Sequence, residues 1–192
     1  MEYRVTTPAS REDLSALRAG DTVLLSGTVY TARDAAHKRM TESLKNGGPL
    51  PFPLKDSAVY YAGPTPEKPG QVIGSCGPTT SGRMDAYAPA LLDLGQTVMI
   101  GKGSRNQAGR DAVIRNGAVY FAALGGAGAA IASCIKEAEI IAYEDLGCEA
   151  VRKLRVEDLP LVVALDSLGN DLYQTGPGAW RDAQESSSLF NP

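Results

Sequence analysis

The chain has 192 residues with 19 basic and 22 acidic side chains, a formal net charge of −3 and a hydrophobic fraction of 43%. This composition excludes a disordered chain and predicts a folded domain with one sizeable core. The slight negative charge argues against nucleic acid and anionic membranes as partners. No apolar run reaches the roughly 18 residues of a membrane span. The N-terminal Met-Glu-Tyr-Arg-Val lacks the apolar core of a signal peptide, so we expect a cytoplasmic protein.

The predicted elements alternate between strands and short helices. The first half has a strand (2–6), a helix from Ser10 to near Gly20, a strand (22–30), a helix (33–45) and strands (58–62 and 71–73). The second half has a helix (83–94), a strand (97–100), a helix (Gln107–Asn116), a strand (118–124), a helix (Gly128–Cys134) and strands (139–143, 151–156 and 161–166). Ser10 and Asp13 form a capping box at the start of the first helix, and Pro89 forces a kink or a fresh first turn in the third. This order predicts an α/β fold with a mixed sheet, antiparallel near its C-terminus. We expect one domain over residues 1–174 and a polar, loosely ordered tail over 175–192.

The three cysteines, Cys76, Cys134 and Cys148, are separated by 58 and 14 residues and form no C-x-x-C pair. An odd, dispersed set favours neither a disulfide framework nor a ferredoxin-type cluster. We expect three reduced thiols that behave as small buried apolar groups, and no metal site within this chain.

The glycine-rich stretch 125–128 follows a predicted strand and opens a helix, as a dinucleotide-binding fingerprint does. However, Ile131 stands in the last position of that pattern, where a branched side chain blocks close packing of helix on strand. Tight packing of a small-residue helix on the sheet is the favoured interpretation.

Two candidate site residues lie at the start of the helix predicted over 33–45. Arg33 would place a guanidinium beside free backbone N–H groups, which suits an anion. His37, one turn later, would lie on the same face. An ordinary solvated helix face is the alternative interpretation.

The strongest signal is the loop Gly-Pro-Thr-Thr-Ser-Gly-Arg-Met-Asp at residues 77–85. It brings three consecutive hydroxyls and Arg83 to the start of a helix, whereas N-capping alone would explain one hydroxyl. Lys102 is held between two glycines at the end of a predicted strand. Together Arg33, Arg83 and Lys102 supply three cations at element ends, which suits a dianionic substrate.

These residues carry a resemblance to a known family. Matching strings are Arg-Asp-Ala-Ala-His-Lys-Arg at 33–39, the 77–85 loop, Gly-Lys-Gly at 101–103, Tyr-Glu-Asp-Leu-Gly at 143–147 and Gly-Asn-Asp at 169–171. In this order they resemble the β subunit, or C-terminal domain, of the iron–sulfur hydro-lyases of the class I fumarase and L-tartrate dehydratase type. The resemblance covers nearly the whole chain and implies a swivelling β/β/α domain.

The resemblance also implies an activity, a cofactor and a partner. We expect reversible hydration of fumarate to malate, with the L(+)-tartrate dehydratase β subunit and a non-catalytic small-dicarboxylate-binding domain as alternatives. A [4Fe-4S] cluster would be bound by a partner α subunit, within an α2β2 assembly, and would act there as a Lewis acid. The motif match makes Thr79 the first candidate base, and the unperturbed pKa of imidazole makes His37 the second. Arg33, Arg83 and Lys102 would bind the substrate carboxylates.

Overall fold

A computed structural model describes residues 1–186 and the side chains of residues 1–181. In this part the strands are β1 (Glu2–Thr7), β2 (Thr22–Thr31), β3 (Ala58–Tyr60), β4 (Val98–Gly101), β5 (Val119–Ala122), β6 (Ile135–Ala142) and β7 (Val151–Leu165). The α-helices are α1 (Arg11–Leu14), α2 (Asp34–Lys45), α3 (Ala88–Asp93), α4 (Gln107–Asn116), α5 (Gly128–Cys134) and α6 (Leu172–Ser186). Two 3₁₀ turns, Ser81–Met84 and Glu144–Glu149, complete the set of elements.

The strands form one mixed sheet that closes on itself. Strands β2, β3, β4 and β5 are parallel neighbours, and β7 runs antiparallel to both β5 and β2. These pairings complete a ring of five strands, while β1 joins β2 in parallel and β6 joins β7 in antiparallel fashion. The predicted α/β class, with a mixed sheet, short helices and antiparallel pairing near the C-terminus, is confirmed.

The bend that lets β2 reach several neighbours lies at Gly27. The register between β2 and β7 shifts between Leu25 and Gly27, and Gly27 has φ +107°. A Cβ at this position would lie 2.2 Å from the carbonyl oxygen of Thr7 on β1. Only glycine combines this backbone conformation with so close an approach of two strands.

Buried side chains cover both faces of the sheet. On one face, Tyr60, Ile100 and Phe121 pack together in a cluster that also takes residues from α1 and α5. The intervening strand residues, Met99 and Tyr120 among them, pack instead against α2, α3 and α4. The alternation of side chains along β4 and β5 therefore fixes a core on each side of these short, fully covered strands.

Most predicted elements are present, and the exceptions have local causes. The predicted strand at 71–73 is wrong, because this segment lies in turns and bends in which the Gln71 amide donates to the Lys68 carbonyl. The strands predicted at 151–156 and 161–166 are one strand, β7. The 83–94 segment divides into a 3₁₀ turn and α3, and Pro89 lies in the fresh first turn of α3. The Ser10 capping box is present, but α1 ends at Leu14.

The boundary predicted at residue 174 stays a prediction. Helix α6 crosses it and continues to Ser186, and the remainder of the predicted tail, 187–192, lies outside the described residues. Among residues 1–186, no helix has the length and apolarity needed to cross a membrane.

Candidate functional site

Three of the predicted site residues follow the carboxyl ends of adjacent parallel strands. Arg33 comes just after β2, and Lys102 comes just after β4. Thr79 is attached to the end of β3, because its amide donates to the Tyr61 carbonyl at 2.7 Å. Parallel strands end at the same edge of a sheet, and ligand sites of α/β folds form there. The topology therefore explains how residues 33, 79 and 102 come to share one edge.

Within the 77–85 loop, Arg83 donates a hydrogen bond from Nη2 to Oγ1 of Thr79. The Thr79 side chain is half-buried, and Arg83 retains 48% of its side-chain exposure. A guanidinium on a hydroxyl oxygen stabilises the oxyanion that deprotonation would form. This contact places a cation on the hydroxyl oxygen of Thr79.

The three consecutive hydroxyls of this loop have different surroundings. Ser81 is buried, accepts hydrogen bonds from the Tyr120 hydroxyl at 2.8 Å and the Lys102 amide at 3.0 Å, and thereby ties the loop to β5 and β4. Thr80 is exposed and forms an isolated backbone bridge with Lys102. Thr79 is thus the one hydroxyl of the three that contacts Arg83.

The loop is anchored beneath its surface by a buried ion pair. Asp85 accepts from Arg105 Nε at 2.5 Å and from the Asn106 amide at 2.7 Å. Each side chain of the pair is 1% exposed. The Arg105 guanidinium also lies over the rings of Tyr61 and Tyr120, at 5.4 and 5.1 Å from their centroids. Aromatic faces and a carboxylate together compensate for burying this cation.

Arg33 lies at the N-cap of α2 rather than in its first turn. Its Nη2 is 3.4 Å from Oε1 of Glu149, and Oε2 of Glu149 accepts from the Ala35 amide at 3.0 Å. Glu149 thus satisfies an unpaired donor at the start of α2 while holding the Arg33 guanidinium. The neighbouring Asp34 approaches both Arg33 and Arg83, with nitrogen–oxygen distances of 3.9 and 3.4 Å.

His37 is fully buried one turn into α2. Its Nδ1 is 3.0 Å from the Arg33 carbonyl, so a neutral ring donates from Nδ1 and leaves the lone pair on Nε2. Nε2 is buried and has no hydrogen-bond partner within the described part of the chain. Burial lowers the pKa of His37 to about 4, against the smaller opposing effect of the Arg33 carbonyl. His37 is therefore a neutral ring that secures the backbone of Arg33.

The sequence predicted three cations at this site, and the structure adds two carboxylates to them. Arg33 and Arg83 have carboxylates within 4 Å, whereas no carboxylate of the described side chains lies so close to the Lys102 ammonium. With His37 neutral, the three cations and the two carboxylates of Asp34 and Glu149 leave a net charge of +1.

The cysteines do not resemble one another. Cys76 is buried, and burial raises the pKa of its thiol to about 12; Cys134 is half-buried and Cys148 is exposed. The prediction of three buried thiols is therefore wrong for Cys134 and Cys148. Among the side chains of residues 1–181, no three His, Cys, Asp or Glu groups converge at metal-binding distances. The cysteines of this chain thus do not fit an iron–sulfur cluster, which requires several converging thiolates.

Asp34, Glu149 and the Asp85–Arg105 pair were missed as site residues. Asp34 and Asp85 lie within the 33–39 and 77–85 strings, but the site was predicted from the arginines and hydroxyls of those strings. Glu149 follows the 143–147 string, and the structure shows that this string contacts α2. Arg39 makes two hydrogen bonds to Asp145, at 2.7 and 2.5 Å, so the 3₁₀ turn carrying Glu149 is fastened to α2.

A closed mixed sheet with short helices defines the chain as an α/β domain, with Arg33, Arg83 and Lys102 beyond the ends of its parallel strands. Residues 2–176 match the model of the family described as Fumarase C-terminus. The chain belongs to this family.

Three relatives illustrate the range of the family. Over 165 residues the chain is 41% identical to fumarate hydratase 2 of Leishmania major, covering 85% of this chain and 29% of that protein. It is 42% identical over 152 residues to the aerobic class I fumarate hydratase of Escherichia coli, covering 78% of this chain and 28% of that protein. It is 38% identical over 180 residues to a putative L(+)-tartrate dehydratase subunit beta of Methanocaldococcus jannaschii, covering 91% and 92%. The chain thus spans less than a third of the fumarate hydratases but nearly all of the separate β subunit.

Proposed function

We propose that this chain is the β subunit of an iron–sulfur-dependent hydro-lyase that reversibly hydrates fumarate to malate. The observation that carries the proposal is the hydrogen bond from Arg83 to the Thr79 hydroxyl within a cluster of three cations. Membership of the Fumarase C-terminus family and the 41–42% identity to two fumarate hydratases support it.

Arg33, Arg83 and Lys102 are the proposed ligands of the two substrate carboxylates. An arginine can bind a carboxylate with two parallel N–H donors, and a lysine adds a point charge. Arg83 uses Nη2 on Thr79 and Nε towards Asp34, which leaves Nη1 for a carboxylate. Lys102 has no nearby carboxylate of its own among the described side chains, so its charge is available to the substrate.

Thr79 is the proposed base. In the dehydration direction its deprotonated Oγ1 takes the proton from C3 of malate, and the electron pair of the C3–H bond spreads into the adjacent carboxylate. Hydroxide then leaves C2 as the C2–C3 double bond forms, and Thr79 passes its proton to solvent, so that water is the net product. The reverse step delivers that proton to C3 during hydration of fumarate. Arg83 stabilises the Thr79 oxyanion and, with Lys102, the charge on the carboxylate. A hydroxyl without such a neighbouring cation is a poor base.

His37 is the second candidate, and its surroundings favour a supporting role. It is 0% exposed, so substrate cannot reach Nε2 without movement of α2 or its neighbours. The pKa of about 4 that burial imposes also makes it a weak base at neutral pH.

We propose that a partner α subunit carries the [4Fe-4S] cluster. Two observations support this division: the cysteines described here do not converge, and the relative of nearly equal length is called a subunit beta. An α2β2 assembly in the cytoplasm is part of the same proposal, and the three free thiols agree with that compartment.

L(+)-tartrate is the second candidate substrate. The match over 92% of the M. jannaschii tartrate dehydratase subunit beta favours it. The reaction is the same elimination of water, with one additional hydroxyl on the substrate.

The decisive experiment is anaerobic co-expression with a cluster-bearing α subunit, followed by fumarate and L(+)-tartrate assays. In the active complex, Thr79→Val keeps the shape but removes the hydroxyl, and we expect kcat to fall by about 10²–10⁴-fold. Thr79→Ser keeps the hydroxyl and is the matched control. Near-normal turnover of Thr79→Val would eliminate Thr79 as the base. A complex that binds dicarboxylate but turns over neither substrate would favour the non-catalytic binding domain.

The division of labour has its own test. The chain purified alone should contain no stoichiometric iron or sulfide and should have no hydratase activity. Stoichiometric iron and sulfide on the isolated chain would return the three cysteines to consideration as ligands.

A further inference from the structure

Asp34 is the carboxylate that lies between the two arginines of the site. We propose that Asp34 is a positioning residue for this reaction, holding Arg83 through Nε so that Nη2 stays on the Thr79 hydroxyl. The inference rests on the proposed function, because it assigns a role within the same site.

The geometry places Asp34 where two chain segments meet. Oδ1 of Asp34 is 3.4 Å from Nε of Arg83, and Oδ2 is 3.9 Å from Nε of Arg33. Asp34 is the first residue of α2, after β2, whereas Arg83 belongs to the loop fastened to β3 and β4. A single carboxylate thus links the two arginines through charge.

One oxygen of Asp34 is buried, although the side chain as a whole is 35% exposed. Asp34 Oδ2 and Arg33 Nε are both buried, and neither has a hydrogen-bond partner among the residues that the structure describes. The opposite charges of this carboxylate oxygen and this N–H attract each other, and the attraction offsets part of the free-energy cost of removing both groups from water. Rotation of Asp34 out of the site would leave the Arg33 donor without that compensation.

Arg83 depends on Asp34 more than Arg33 does. Arg83 is 48% exposed, and Asp34 is the one carboxylate among the described side chains within 4 Å of its guanidinium. Arg33 is 22% exposed and is also held by Glu149, at 3.4 Å. Removing the Asp34 charge should therefore release Arg83 while Arg33 stays in place.

This asymmetry predicts a specific kinetic signature in the active α–β complex. Asp34→Asn should lower kcat by about 10- to 100-fold, because Arg83 occupies its place on Thr79 for less of the time. KM should rise by a smaller factor than kcat falls, because Arg33 and Lys102 still bind the substrate carboxylates when Arg83 is displaced. Asp34→Glu restores the charge and should recover a large part of the lost kcat. Glu42→Gln is the matched control, since Glu42 is an exposed acid on the same helix, paired with Lys38 at 3.9 Å, and should leave both constants unchanged.

A double-mutant cycle separates positioning from a structural role. If Asp34 acts through Arg83, then in an Arg83→Gln background Asp34→Asn should change kcat by less than about twofold. Equal proportional losses in both backgrounds would overturn the proposal, as would an Asp34→Asn effect confined to KM.

A second readout does not depend on turnover. In the full chain, ¹⁵N relaxation of the arginine Nε–H groups, with Arg83 assigned through Arg83→Lys, reports how firmly that side chain is held. Asp34→Asn should increase the mobility of the Arg83 Nε–H but not that of Arg33. An unchanged Arg83 signal would refute the positioning role. If a wild-type complex lacks activity on both substrates, the proposed function fails, while this measurement still decides whether Asp34 holds Arg83.

Discussion

Removing the carboxylate of Asp85 should destabilise the whole domain by an amount that the structure allows us to work out. Asp85→Ala leaves the Arg105 guanidinium buried without its counter-ion, and both side chains are only 1% exposed. Breaking a buried ion pair in this way costs about 3–5 kcal/mol. At about 2–4 °C per kcal/mol for a chain of this size, Tm should fall by roughly 10 °C.

The assay is thermal and urea unfolding of the full chain, followed by circular dichroism. Glu137→Ala is the control, because Glu137 also pairs with an arginine, Arg155, at 2.7 Å, but with side-chain exposures of 69% and 46%. An exposed pair contributes about 0–1 kcal/mol, so Tm should hardly change. If Asp85→Ala costs no more than Glu137→Ala, the Asp85–Arg105 pair does not anchor the loop.

Three further predictions address pH, packing and substrate binding. Burial lowers the pKa of His37 to about 4, so this side chain binds a proton more readily in the unfolded chain. The free energy of unfolding should therefore decrease as pH falls from 6.5 towards 4, by up to about 1.4 kcal/mol per pH unit. His37→Asn should remove this slope in urea titrations between pH 5 and 7. Gly101→Ala places a Cβ 2.0 Å from Oγ of Ser81, so unfolding should be easier by about 1–3 kcal/mol in urea, whereas Gly176→Ala, with nothing within 4 Å, should be neutral or slightly stabilising. Arg83→Lys keeps the charge but loses the planar fork, so kcat/KM of the complex should fall by about 10²-fold, and an unchanged value would remove Arg83 from the site.

Local sequence patterns predicted the helices well because their start and stop signals are local. Helices α4 and α5 have the predicted bounds, and Asn106 and Gly117 cap α4 as such residues commonly do. The division of β7 into two predicted strands had a local cause too, since Pro160 has no N–H to donate. In the structure, β6 pairs with residues 151–156 of β7 and β5 pairs with residues 162–165. Pro160 lies between these two stretches, opposite Leu24 of β2. One side of β7 is therefore open at Pro160, and sheets accept proline at such open edges.

The site was only partly predictable, because its charges are balanced across distant segments. The cations Arg33, Arg83 and Lys102 stand out by their place at element ends, and the strand order explains why they meet. Glu149 is 116 residues from Arg33 in the chain, and no local pattern pairs the two. Likewise, burial of His37 depends on the packing of Tyr61 and Tyr87 around it, with ring centroids 5.3 and 6.3 Å away. The burial of His37 is therefore a result of long-range packing that no local pattern predicts.

The closure of the sheet by its last strand sets the order of events during synthesis. Strand β2, residues 22–31, finds its antiparallel partner only in residues 152–162 of β7. Pairing between such distant segments is entropically expensive and slow, and it cannot begin before the second segment has left the ribosome. The edge of β2 that pairs with β7 therefore stays exposed while most of the chain is synthesised. Unpaired strand edges are prone to aggregate at this stage. Truncation anywhere before residue 165 should consequently abolish the folded ring rather than merely shorten it.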